Sequence, residues 1–181
     1  MDNLKFLSYL FLLCGIFSFL SCNGNDEDTD GEQSDHEYIQ GLTISLTPSS
    51  GGQPFIMTYL DSDGPGNIAP VVSAELLPIQ TSYTATVQIT DENGDVINYD
   101  KDDTQIFFAV SSGLDLTIEY SDTDSNGYAV GFQNQVTSGN LPTSGVIDIV
   151  VKTEVDKPNA GVATNANGDT ELEFTISVST L

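Results

Sequence analysis

The chain contains no arginine, no tryptophan, one histidine (His36) and two cysteines (Cys14 and Cys22) among its 181 residues. Its four basic residues, Lys5, Lys101, Lys152 and Lys157, face 27 acidic ones, giving a net charge of −23. Each shortage excludes something. Phosphate backbones are gripped by lysine and arginine, so nucleic acid is not an expected partner. Anionic lipid headgroups are repelled for the same reason. One histidine cannot provide the donor set of an ordinary catalytic zinc site. A serine triad would have to use that same residue, which lies in a polar tail. With no tryptophan, and most tyrosines at inward positions, the aromatic platforms of a carbohydrate-binding module are missing.

What is present begins at the N-terminus. Met1-Asp2-Asn3-Leu4-Lys5 leads into an apolar run from Phe6 to Leu20 that ends at Ser21-Cys22. The run is shorter than the ~18 apolar residues of a membrane span, and no later stretch reaches that length. A short n-region, an apolar h-region and a small residue at the cut predict a lipoprotein signal peptide over residues 1–21, with Cys22 as the acylated new N-terminus. The usual lipobox carries leucine three places before the cysteine, whereas here Leu20 sits one place before Ser21. An ordinary secretory signal cut elsewhere is the competing reading. Cys14 would leave with the signal, so Cys22 has no disulfide partner. A lone thiol is ill suited to an oxidising compartment, and acylation removes it. Several acyl chains at about 0.8 kcal/mol per buried methylene would make the anchor effectively permanent.

Residues 22–37 predict a flexible acidic tether. Asn23 to Glu37 carries seven carboxylates and no apolar residue, so it cannot bury enough surface to offset its ordering entropy. Asp26-Glu27-Asp28, close behind the cysteine, resembles the surface-export signal of some Gram-negative lipoproteins. That places the anchor in the outer membrane and the domain on the cell surface, with the periplasmic face as the alternative. His36, between Asp35 and Glu37, could touch a transition metal, but a solvated tail residue is the simpler reading.

From residue 38 the apolar residues recur with period two. Leu42, Ile44 and Leu46 alternate with polar neighbours, as do Tyr83 to Ile89, Leu114 to Tyr120, Tyr128 to Phe132, Ile147 to Val151 and Leu172 to Val178. One buried and one wet face per strand is the pattern of antiparallel sheet. Gln53–Leu60 and Gln105–Val110 are more evenly apolar and predict interior strands. Asn93-Gly94, Asn126-Gly127 and Asn167-Gly168 supply turn residues that tolerate positive φ. Residues 38–181 are therefore expected to form one all-β domain, an antiparallel sandwich of seven to nine strands, immunoglobulin- or fibronectin-like. Leu77-Pro78-Ile79-Gln80-Thr81-Ser82-Tyr83 resembles the approach to a late strand of fibronectin type III domains, where the tyrosine closes a corner.

Two loops carry candidate chemistry. Asp122-Thr123-Asp124-Ser125-Asn126-Gly127 fits the first half of the calcium pattern D-x-[DN]-x-[DN]-G. Alternate oxygen donors can converge on a hard cation there, and glycine allows the sharp turn. Its twelfth place holds Gln133 rather than glutamate, and a plain polar hairpin is the alternative. Asp61-Ser62-Asp63-Gly64-Pro65-Gly66-Asn67 is a second acidic, glycine-rich loop in which Asp61 and Asp63 could hold calcium. Candidate metal ligands are thus Asp61, Asp63, Asp122, Asp124 and Asn126, with calcium the one candidate cofactor. No catalytic residue is singled out.

Ile44-Ser45-Leu46-Thr47-Pro48, Leu60-Asp61-Ser62-Asp63-Gly64-Pro65, Ala69-Pro70-Val71-Val72, Thr81-Ser82-Tyr83, Tyr120-Ser121-Asp122-Thr123-Asp124 and Gly161-Val162 resemble landmarks of a family of small acidic Gram-negative lipoproteins. These are often encoded near TonB-dependent outer-membrane receptors. With the lipobox, the acidic tether and the absence of catalytic groups, the expectation is a non-enzymatic, lipid-anchored accessory or ligand- and cation-binding module. Its partners would be the membrane and a TonB-dependent receptor, and its state monomeric. A carboxylate-dependent hydrolase of envelope polymers and a purely structural or adhesive surface module are the alternatives.

Overall fold

The computed structural model describes residues 38–66, 68–159 and 162–181. The signal segment, Cys22, the tether, His36, Asn67 and Gly161 lie outside them. Nine strands follow one another: β1 Ile39–Pro48, β2 Phe55–Leu60, β3 Val71–Ala74, β4 Ser82–Asp91, β5 Gln105–Val110, β6 Leu116–Tyr120, β7 Gln133–Ser138, β8 Ser144–Thr153 and β9 Asp169–Ser179. Among the described residues the helical content is one 3-10 turn, Lys157–Asn159. The strands build two antiparallel sheets, ordered β3-β2-β1-β4-β7-β6 and β5-β8-β9. The domain is all-β, as the alternation predicts.

The period-two pattern explains which way each strand faces. Along β4, Tyr83, Ala85, Val87 and Ile89 are buried while Ser82, Thr84, Thr86 and Gln88 are exposed. Leu172, Phe174, Ile176 and Val178 of β9 point inward in the same way. These side chains join Leu42, Ile44 and Leu46 of β1 and Ile147, Ile149 and Val151 of β8 in one core between the sheets. Burying a side chain of this size contributes roughly 1.5–3 kcal/mol.

Without β2 and β3, the order is β1-β4-β7-β6 opposite β5-β8-β9. This is the A-B-E-D against C-F-G arrangement of a seven-strand sandwich. The β2–β3 hairpin is an addition on the β1 edge, registered with Thr43 opposite Thr58 and Thr58 opposite Ser73. Tyr83 is fully buried and donates its hydroxyl to the carbonyl of Pro78 at 3.2 Å, a corner five residues long. It stands on the second strand of the A-B-E-D sheet, not on a late strand as in fibronectin domains.

Two strand expectations differ from the structure, and β3 has no counterpart among them. β5 is an edge strand of the smaller sheet, although Gln105–Val110 reads as interior. Its evenly apolar character has another cause: Ile106 faces the main core, and Phe107 faces outward under a loop whose Val155 and Ala166 bury it. The Tyr128–Phe132 alternation does not make a strand. β7 starts at Gln133 and pairs with β6, Glu119 opposite Gln135, while Asp122 to Phe132 forms a looped excursion. β3 is too short for four residues of alternation to announce it.

Candidate functional site

The calcium-like loop is held by two lysines. Asp124 accepts the backbone N–H groups of Asn126 (2.9 Å) and Tyr128 (2.8 Å) on Oδ1, closing a tight turn around Gly127 at φ 87°. Its Oδ2 faces the Lys157 ammonium at 3.3 Å, and the two side chains are 1% and 2% exposed. Asp122 accepts the Gly131 N–H at 2.8 Å on Oδ1, and its Oδ2 lies 3.6 Å from the Lys101 ammonium. Lys157 also donates to the carbonyl of Lys101. Asp102, beside it, accepts both the N–H and the hydroxyl of Ser125 at 2.9 Å. Val155 N–H completes the node on the carbonyl of Asp103. Three loops are fastened together here by two of the chain's four lysines.

The arrangement turns Asp122 and Asp124 toward different partners instead of toward one point. Among the described residues, no group of three or more His, Cys, Asp or Glu side chains is placed to hold a metal ion. Burial pushes the Asp124 carboxyl up, but the Tyr128 and Asn126 amides and the Lys157 ammonium outweigh it, so the group ionises below the usual carboxylate range. A carboxylate held this way is a poor proton acceptor. In this loop the cations come from the chain itself.

The second loop is different. It leaves β2 at Asp61, turns at Gly64 (φ 83°) against the ring of Tyr38, and borders an open cleft of about 510 Å³. Tyr38, Ile39, Tyr59, Asp61, Glu171 and Glu173 are among its walls. Asp61 is 5% exposed, and its Oδ1 is buried without a hydrogen-bond partner. Burial, then the charge of the nearby Asp61 carboxylate and its interaction with the phenol, raise the Tyr59 pKa above its usual value and keep the phenol protonated. Asp63, by contrast, is exposed and holds the Ile68 N–H at 3.1 Å on Oδ2. The two aspartates of this loop therefore do different jobs.

Two irregularities shape this end of the sandwich. Pairing of β1 with β4 skips from Ile39 to Gly41, leaving Gln40 as the extra residue, and its carbonyl accepts the Asp61 N–H at 2.8 Å. Pairing of β8 with β9 skips between Leu172 and Thr170, leaving Glu171 as the extra residue. A bulge re-aims its side chain and raises local twist. Alternation alone could not reveal Glu171 as a cleft residue. The roles of Lys101 and Lys157 were legible only as scarcity: with so few cations in so acidic a chain, each lysine that folds is expected to be committed.

No protein-family model, curated protein or solved structure matches this chain.

Proposed function

We propose that the chain is a membrane-anchored, non-enzymatic lipoprotein of the outer membrane, displayed at the cell surface. Its immunoglobulin-like domain serves as an accessory or ligand- and cation-binding module, and a TonB-dependent receptor is the partner implied by the family resemblance. The observation that carries the reading is Ser21-Cys22 at the end of the Phe6–Leu20 run. The described residues start at Tyr38, so fifteen residues (23–37) separate the acylated position from them. At about 3.3–3.6 Å per extended residue they could hold the domain up to roughly 50–60 Å from the lipid. Among the described residues no helix is long and apolar enough to cross a membrane. The strand order and the Tyr83 corner support the immunoglobulin-like assignment.

Metabolic labelling with a radioactive fatty acid tests the anchor. The wild-type chain should take up label and partition into detergent, and Cys22→Ala should do neither. Label on Cys22→Ala, or an unmodified N-terminus downstream of residue 22, overturns the reading. Protease treatment of intact cells tests display: a domain that survives until the outer membrane is breached lies on the periplasmic face.

A further inference from the structure

We propose that the Asp61 cleft is a calcium site, with Asp61 as its anionic anchor. The inference deepens the cation-binding reading above and rests on it. A buried carboxylate is stable only with a countercharge or a full set of hydrogen bonds. Asp61 has the Tyr59 phenol nearby and, among the described residues, no hydrogen-bond partner on Oδ1. Among the described residues no lysine is left for it: Lys101 faces Asp122, Lys157 faces Asp124, and Lys152 donates to the carbonyl of Ala166 at 3.0 Å. The remaining lysine, Lys5, belongs to the predicted signal segment.

The rest of the cleft offers hard oxygens. Glu171 and Glu173 add negative charge along its β9 wall, and Thr170 lies beside them. β9 is an edge strand, so it presents backbone carbonyls on its unpaired side. Asp61 also lies at the end of β2, fixed by its own N–H on Gln40, so the carboxylate is preorganised. Calcium accepts a mixed shell of carboxylate, carbonyl and water oxygens, whereas magnesium demands tighter octahedral geometry. Because no three acidic side chains cluster here, one buried carboxylate with neutral oxygens and water implies a weak site. Its Kd should be on the order of 0.1–1 mM, in the range of extracellular modules.

The test uses the full protein extracted in mild detergent, with calcium chloride as the probe. At about 10 mM calcium the melting temperature should rise by roughly 3–10 °C over its value in chelator. Asp61→Asn should abolish the rise. Asp148→Asn, which removes one exposed carboxylate elsewhere, should keep it. In chelator Asp61→Asn should melt no lower than wild type, because asparagine fills the same space without a buried charge. A second measurement uses terbium, a luminescent stand-in for calcium. Excitation of tyrosine should sensitise its emission, calcium should compete it away, and replacing both Tyr38 and Tyr59 by Phe should remove most of it. No calcium-dependent shift in wild type, an equal shift in Asp61→Asn, or terbium emission indifferent to the double Phe variant each overturns the proposal. Lipid labelling at Cys22 is unaffected by any of these results, so the anchored-module reading fails or survives separately.

Discussion

Replacing Phe107 by Ala asks whether β5 is buried from both sides. Phe107 is 5% exposed although it points away from the main core. It packs against Val155 and Ala166, with Val150 and Ala163 alongside. Losing the ring removes roughly 1.5–3 kcal/mol of transfer free energy and leaves a cavity. Phe→Ala in cores costs about 3–5 kcal/mol. A loop can collapse onto the gap more readily than a paired strand, so the lower end, about 3 kcal/mol, is expected here. At about 2–4 °C per kcal/mol for a domain of this size, that is a fall of roughly 6–12 °C in melting temperature. Hydrogen exchange should show where the loss begins: amides of the loop around Val155 and Ala166 should open before those of β8 and β9. Ala109→Ser is the control, two residues on along β5 and exposed; it should stay within about 0.5 kcal/mol of wild type. A Phe107→Ala protein that melts within about 2 °C of wild type, with unchanged exchange in the loop, refutes the two-sided account of β5.

Other outcomes follow from the same structure. Asp124 ionises below the usual carboxylate range in the fold. Its stabilising contribution is therefore complete above the ordinary value near pH 4 and lost as pH falls through the lower folded value. Melting curves against pH should show Asp124→Asn losing less stability on acidification than wild type, and identical profiles would count against the latch. Tyr59, Tyr83, Tyr99 and Tyr120 all have pKa values raised, chiefly by burial. The fold thus holds their neutral forms, and the associated stability is complete below about pH 10 and lost as pH rises through the higher folded values. In a chain without tryptophan, ultraviolet absorbance should show these phenols ionising together with unfolding, and a single smooth titration in a folded protein would contradict it. Gly131 has φ 104°, and a Cβ there would stand 2.7 Å from the carbonyl oxygen of Ile106. Gly131→Ala should cost about 2–4 kcal/mol in urea unfolding from strain and overpacking, and a neutral result would mean that the Asp122–Gly131 junction is slack.

The two aspartate loops show how far a local motif can be trusted. Asp122, Asp124 and Asn126 have the spacing of a calcium loop, yet Lys101 and Lys157, brought from elsewhere in the chain, face the two carboxylates. Asp61 and Asp63 look equivalent by spacing, yet one is buried with an empty-handed oxygen and the other is exposed on a turn. Spacing reports what donors a segment can offer. Which other segments arrive to use them is a long-range matter, and a fold of antiparallel sheets is made mostly of long-range neighbours.

By itself the sequence determined the class of the domain and the facing of most strands, because sheet pleating ties side-chain direction to position with a period of two. It also determined the charge balance, 4 basic residues against 27 acidic ones, since residue counts do not depend on folding. The tertiary structure decided the split of nine strands into six and three, the edge position of β5, and the bulge that makes Glu171 a cleft residue. It also decided which lysine answers which aspartate. Those outcomes depend on which strands pair and which loops cover them, and pairing energy comes from contacts between residues that no window along the chain places side by side.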